Sequence, residues 1–475
     1  MIENIWYSSV IICCILALSN WRLGIYLGIL LDCLRDPLRK LTIDQSVLIT
    51  LTGMLVWGFV IVGAIQQNQT ELRQIFQRYR SIRSMLGALT LALVPAAAIS
   101  IFLYQNGWKV AVVGAISYLA PLVGIAVGYL IPRSESDVER LFKFYVGVNS
   151  LMLVGVPLEY LDYNIPALGG IDANWIRYRT GYIVDLMCGF YRSPDIMGLH
   201  AAHVIMFSLI LALREKATSR PFWMSLALWA TFCILLSGRR KMIGIPMIFV
   251  VAFLCFSTVR KAKGASRLAT ITAVAACTFA TLGSLFWSPD ASKEYHDFAS
   301  SLFTEGVSRS NEVIVASSIE TLRQAGILGS GLGMATQGRY YVKSKGDAGG
   351  RNWQEDGVSR LILEFGVPGC LLLGVAGYQL LVSLKKAFQM VPRGSPEQEV
   401  QIACASVVCG DAASFAISHQ QFSGDPVNGL FVLLMLGMVL GIPRVYFRRQ
   451  SRLRYLAPAV RVINRPRLQA ASSGS

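Results

Sequence analysis

Apolar segments long enough to cross a bilayer recur along nearly the whole chain, and no other feature narrows its possible folds so far. A window of about 19 residues, matched to a hydrocarbon core of about 30 Å, marks 5–19, 21–34, 45–65, 85–104, 110–131, 141–160, 196–213, 222–236, 242–258, 268–287, 357–382, 401–418 and 427–443. The first two are short and separated only by Asn20-Trp21-Arg22, so they read either as a tight hairpin or as one broken element. The total is therefore 12 or 13 spans. In lipid every backbone polar group must be bonded within the protein. The expected fold class is thus all-α, a polytopic helical membrane protein with one long loop. Composition agrees: of 475 residues 54% are apolar and only 15% charged, with a mean hydropathy of +0.50. Soluble domains carry about 25% charged residues, which excludes a soluble multidomain enzyme, and disordered chains are polar. No repeat of fixed period occurs, so a solenoid is excluded too.

The start, Met1-Ile2-Glu3-Asn4, lacks the basic region of a signal peptide, so the first apolar stretch is expected to stay as a span. Ten cysteines, all but Cys188 in or beside apolar segments and none in a C-x-x-C pair, read as small packing residues. The expected organisation is N-terminal helices in 1–287, a large loop in 288–356, C-terminal helices in 357–446 and a basic tail in 447–475.

Lysines and arginines exceed acids by 16. Half of that excess lies in the tail from Arg444, which carries no acid; the positive-inside rule places it in the cytoplasm, against anionic head groups. Counting back, 383–400, 259–267, 214–221 and 132–140 fall inside, while 419–426, 288–356, 237–241 and 161–195 fall outside. Near the start the alternation fails. Both 35–40 and 71–83 are basic, yet one span separates them, so one of them lies outside or 21–34 is not a crossing. In the second stretch Leu72, Ile75, Phe76, Tyr79, Ile82 and Leu86 share a helical face, the pattern of an interfacial amphipathic helix.

Three polar groups land on the outer side. The 161–195 loop holds Arg177, Arg179, Asp185 and Arg192. The turn Ser237-Gly238-Arg239-Arg240-Lys241 places three cations outside against the rule. Arg239 and Arg240 either snorkel to head groups or bind phosphate, whose oxygens the planar guanidinium fork matches. Arg192 either joins them or pairs with Asp195 or Asp185. The third group, the 288–356 loop, is long enough to be functional. Its Gly326-Ile-Leu-Gly-Ser-Gly-Leu-Gly333 lacks the βαβ context of a nucleotide loop and reads as a tight corner. At its end Arg360 and Glu364, one helical turn apart, form either an intramembrane functional pair or a structural one. Glu355 at the outer mouth is a candidate general base. His200-x-x-His203 has metal-ligand spacing but no third ligand nearby in sequence, so no metal is expected.

These residues resemble a family. The order of the outer basic turn 237–241, a long outer loop ending in 326–333, and Glu364-Phe-Gly-Val-Pro-Gly369 opening a span is similar to the O-antigen ligase and O-antigen polymerase superfamily of bacterial inner-membrane glycosyltransferases. Gly189-Phe-Tyr-Arg-Ser-Pro-Asp-Ile-Met-Gly198 resembles the family's stretch ahead of a span. The resemblance covers roughly 185–385 in pattern and the whole chain in topology. It implies a transferase without metal or other cofactor, acting on undecaprenyl-diphosphate-linked glycan at the periplasmic face. Arginines hold the diphosphate while an acceptor hydroxyl attacks the anomeric carbon. By position Arg240, or Arg239, matches the family's arginine after the serine, with Arg192 and Arg177 as further diphosphate contacts. Glu355, Arg360 and Glu364 are the expected catalytic residues. Family ligases place a histidine about nine residues before the glutamate, where this chain has Glu355; that departure favours a polymerase of an O-antigen or exopolysaccharide, with a ligase transferring glycan to a lipid or protein acceptor as the alternative. Membrane lipid, a flippase and a chain-length regulator are the implied partners, and nucleic acid is not. A transporter, the competing class, would show broken spans in two matching halves, and the chain has no such symmetry.

Overall fold

In the computed structural model the described residues are 2–42, 44–171, 176–179, 182–262, 264, 266–270, 272, 311–336, 354–423 and 425–463; for 176–179, 182–184, 240, 312, 313, 426 and 452–463 only the backbone is described. The chain is an all-α, multi-pass membrane protein; among the described residues eleven helices are long and apolar enough to cross a bilayer. The helices are α1 (Ile2–Ser19), α2 (Trp21–Lys40), α3 (Val47–Gln67), α4 (Gln69–Arg78), α5 (Arg80–Leu103), α6 (Gly107–Leu130), α7 (Glu135–Met152), α8 (Gly155–Tyr160), α9 (Pro194–Arg214), α10 (Arg220–Leu236) and α11 (Arg240–Arg260). After these come α12 (Ser317–Ala325), α13 (Gly357–Gln389), α14 (Pro396–Ile417), α15 (Gln420–Ser423) and α16 (Pro426–Ile463). A two-stranded antiparallel hairpin, β1 (Ile176–Arg179) and β2 (Tyr182–Asp185), decorates the 161–195 loop. Most of the expected span 268–287 and most of the expected loop 288–356 lie outside the described residues.

Two faces can be followed by contacts. On the tail face Arg444 and Arg448 pair with Glu71 at 2.5 and 3.0 Å, and Arg449 with Glu135 and Glu397 at 3.2 and 3.1 Å. Arg214 joins the same ring through Glu135 and Glu139 at 2.9 and 2.7 Å. These tail arginines, expected against head groups, thus reach protein carboxylates, although Arg448 and Arg449 stay about half exposed. The far face carries 35–42, 44–46, 186–195, 236–241, 354–357, 418–423 and 425, joined by bonds such as Met187 N to Leu236 O at 3.1 Å and His419 N to Glu355 O at 3.1 Å.

This division resolves the broken alternation. The first two segments are a helical hairpin about Asn20, whose side chain caps α2 by accepting from Leu23 N at 3.3 Å. Helix α2 runs on to Lys40 and delivers Arg35, Arg39 and Lys40 to the far face. The 71–83 stretch lies on the tail face, broken at Tyr79, whose hydroxyl donates to Leu440 O at 2.9 Å. Of its apolar face, Ile75, Tyr79 and Ile82 are buried in protein while Leu86 is exposed, so only part of the face read as interfacial is a packing face.

Helix α9 sits at the centre, with 94% of its apolar window buried. Gly198, Ala201 and Ala202 let neighbours approach, as small residues do in membrane bundles. Helix α13 is broken at Gly366, where φ is 62° and ψ −171°. The interruption would leave backbone groups unbonded at membrane depth. The glycine-rich stretch supplies the partners: Val367 N donates to Ile327 O at 2.8 Å and Ser330 N to Leu363 O at 2.6 Å. A Cβ on Gly366 would sit 2.3 Å from Ile327 O. Gly366→Ala should therefore lower stability by about 2 kcal/mol or more, read as the melting midpoint in detergent. Gly374→Ala, where an added Cβ meets nothing within 4 Å, should be neutral; equal midpoints for the two would sink this account.

Candidate functional site

The candidate site gathers around the far-face stretch 418–425, which carries no Lys or Arg. Helix α14 ends at Ile417 and α16 begins at Pro426, so the connection is short and pinned at both ends. Ser418 Oγ accepts from Lys241 Nζ at 2.7 Å. His419 Nε2 lies 2.7 Å from Gln354 O, and Nδ1 lies 2.6 Å from Ser423 Oγ. Asp425 takes Arg35 and Arg192, the latter at 3.1 Å. One short connection thus joins four segments distant in sequence.

Arg35 is sealed. Its side chain is 1% exposed and meets Asp425, Asp32 at 2.6 Å and Asp36 at 3.8 Å. Lys40 is spent on Gly189 O and Tyr191 O at 2.9 and 2.7 Å, and Arg39 Nε donates to Gln45 O at 2.5 Å. Cations on the side where the counting rule forbids them are here held by carboxylates and carbonyls inside the protein. Arg192 differs: its side chain is 17% exposed, and its backbone N donates to Asp36 Oδ2 at 3.1 Å. Burial lowers its pKa, with the Asp36 carboxylate acting the other way.

Arg239 and Lys241 meet the N-terminus of α9. Ser193 caps that helix through Ile196 N at 3.4 Å, and Asp195 in its first turn takes Arg239 at 3.3 Å and Lys241 at 2.9 Å. Of the two partners proposed for Arg192, neither Asp195 nor Asp185 is the one formed; Asp425 is. Arg240 is the first residue of α11, and Arg177 lies in β1 opposite Val184; their side chains lie outside the described residues. Two helix N-termini, α9 and α11, therefore open on the patch that carries Arg192, Arg239 and Lys241, a setting that favours anions.

Glu355 is exposed at the start of α13. Arg360 and Glu364 are buried one and two turns beyond. Glu364 accepts from Tyr118 Oη at 2.6 Å and from Ala335 N at 2.9 Å, and lies 3.9 Å from Arg360 Nε. Arg360 donates to Ser117 Oγ at 2.9 Å and lies 4.7 Å above the Tyr118 ring. Of the two readings of this pair, these contacts describe a clamp that fastens 326–336 to α6. Arg360 is also near enough to His419 to disfavour its charged form.

That effect predicts a pH dependence. Burial, then Arg360, pushes the His419 pKa from 6.5 down to about 3. Between those values the unfolded chain holds a proton that the folded chain does not. Stability is therefore complete above about pH 6.5 and falls as pH drops through the window, by up to about 1.4 kcal/mol per unit. Melting midpoints in buffered detergent should show that slope, and His419→Gln should flatten it; a slope unchanged in the variant would reject the assignment.

No protein-family model matches the chain, and no curated protein matches it either. The site therefore stands on its geometry. Among the described residues no group of three His, Cys, Asp or Glu is arranged to hold a metal. His200 and His203 instead share Tyr145, and His203 meets Asp411. Sequence reasoning missed Arg35, Asp36, Asp195 as the turn's partner, and Asp425. The one signal that pointed toward them was the basic run 35–40 that spoiled the alternation.

Proposed function

We propose that the protein polymerises undecaprenyl-diphosphate-linked oligosaccharide repeat units into a surface polysaccharide, an O-antigen or exopolysaccharide, at the periplasmic face of a bacterial cytoplasmic membrane. The far face is then periplasmic and the C-terminus cytoplasmic. The observation that carries this reading is the patch at the start of α9 and α11. Arg192 and Arg239 arrive there from two loops and keep 17% and 19% of their side chains exposed, while Arg35 beside them is sealed. Arg35 is committed to the fold; Arg192 and Arg239, each also paired with a carboxylate, keep part of the side chain exposed where a diphosphate would meet it.

In the reaction the acceptor hydroxyl oxygen attacks the anomeric carbon, a glycosidic C–O bond forms, and the C–O bond to the diphosphate breaks with its electron pair on phosphate oxygen. Arg192, Arg239 and Arg240 bind that developing charge, with Lys241 and the two helix N-termini adding to the field. Arg177 is a further contact from the hairpin above. Glu355, exposed at the mouth, is placed to accept the proton of the hydroxyl. Arg360 and Glu364 position the clamp beneath it.

A deletion strain tests the reading when its polysaccharide size profile and lipid-linked intermediates are measured together. Long chains should collapse to single repeat units on the carrier. Long chains that persist on the carrier but fail to reach their final acceptor would instead identify a ligase, and an unchanged profile would end both readings.

A further inference from the structure

Below the charged cluster lies a second polar group, buried among α2, α7, α9, α14 and α16, that the transfer reaction does not use. A small cavity there is lined by Asp32, Cys33, Tyr145, Asn149, His200, His203 and Asn428 among apolar side chains. His200 is about 9 Å below the first residue of α9, at 1.5 Å per residue. Its Nδ1 lies 2.7 Å from Tyr145 Oη, which lies 3.2 Å from His203 Nδ1. His203 Nε2 in turn lies 3.0 and 3.2 Å from the two oxygens of Asp411, a residue 1% exposed. The His200 ring is stacked on Tyr191, which fixes its plane. Linked ionisable and hydroxyl groups inside a membrane protein are costly to bury, and a chain of four such groups is the arrangement expected of a proton or ion path.

We propose that His200, Tyr145, His203 and Asp411 form a relay that takes one proton from the cavity and stores it as a buried imidazolium beside a carboxylate. The hydrogen bonds permit two orders. In the empty order Asp411 accepts from His203 Nε2–H, His203 Nδ1 accepts from Tyr145 O–H, and Tyr145 Oη accepts from His200 Nδ1–H, which leaves the His200 Nε2 lone pair for the cavity. A hydronium ion there gives its proton to His200 Nε2 and leaves as water. The His200 Nδ1 proton passes to Tyr145 Oη, and the tyrosine's own proton passes to His203 Nδ1. One proton has entered, and three N–H or O–H bonds have formed while three have broken. The positive charge rests on His203 against Asp411, and His200 is neutral again in its other tautomer.

The groups facing the relay fit a single stored charge. Helix α2 contributes Asp32 and Cys33, with Arg35 paired to Asp32. Helix α7 contributes Asn149, bonded by Tyr191 Oη at 3.1 Å. The stretch before α9 adds Arg192, and α16 adds the uncharged Val427, Asn428 and Phe431. Asp411 is the carboxylate in contact with either histidine among these.

The test uses the full chain in lipid nanodiscs with its histidines labelled in the ring nitrogens. The sequence has only four histidines, so solid-state NMR resolves each tautomer and charge state, with His200→Gln and His203→Gln giving the assignments. On acidification His203 should become the imidazolium while His200 changes tautomer without becoming charged. Tyr145→Phe, which keeps the ring, should abolish the tautomer change, and Asp411→Asn, which removes the carboxylate facing His203 Nε2, should abolish the imidazolium signal. A His200 that charges itself, or a tautomer independent of pH, overturns the relay. Equimolar zinc shifting both histidine signals in the wild-type protein would overturn it in favour of a metal site.

Discussion

Asp425→Asn should leave almost no folded protein in the membrane. The substitution keeps the shape of the side chain but removes the charge that faces Arg35 and Arg192. Arg35 would keep Asp32 and Asp36, yet Arg192 would lose its carboxylate side-chain partner. Breaking a buried pair in this way costs about 3–5 kcal/mol, a large share of the stability of any protein. Fluorescence-detected size exclusion of a tagged chain would show the loss as a collapsed monodisperse peak. The double variant Arg192→Met/Asp425→Leu should recover part of the peak, because it removes the unpaired cation together with its partner while Arg35 keeps Asp32 and Asp36. A normal peak for Asp425→Asn would show that the cluster does not hold the fold.

Arg240→Ala should reduce polymer formation about 100-fold or more while the amount of protein in the membrane stays normal. Loss of one well-placed donor to a developing oxyanion costs about 100- to 1,000-fold in rate. Arg239→Ala should act in the same direction, and more mildly, because Lys241 also meets Asp195. Arg240→Lys separates charge from geometry: a lysine keeps the charge but loses the two-pronged fork, so partial activity is expected. The readout is the ratio of long to single-unit glycan on a gel, beside a blot for the protein. Full-length glycan from Arg240→Ala would remove this residue from the diphosphate site.

The contrast between these two sets of residues explains what could be read in the sequence. Span positions were legible because lipid imposes a simple length and polarity on each helix. The end of the second span was not: a hydropathy window stops at Arg35, whereas α2 continues to Lys40 because Asp425, Gly189 O and Tyr191 O wait for its cations. The outer arginines stood out for lying on the side that loop charges forbid. Their partners did not, since a lone Asp in a short loop is unremarkable in sequence. Glycines 326–333 read as a tight corner, and they are one, but the break they repair at Gly366 lies more than thirty residues on. The pairing of His200 and His203 depends on Tyr145 and Asp411 from two other helices, which no spacing on α9 reveals.

The Arg35–Asp425 pair also sets an order of assembly. Its partners are 390 positions apart. At about 5–20 residues per second the ribosome needs roughly 20–80 s to reach Asp425 after Arg35 has entered the membrane. For all that time the first hairpin must persist with one of its three carboxylates still unmade. A chain stopped before residue 425 is consequently a chain with an unfinished beginning as well as a missing end, and membrane quality control should treat its N-terminal half as unassembled.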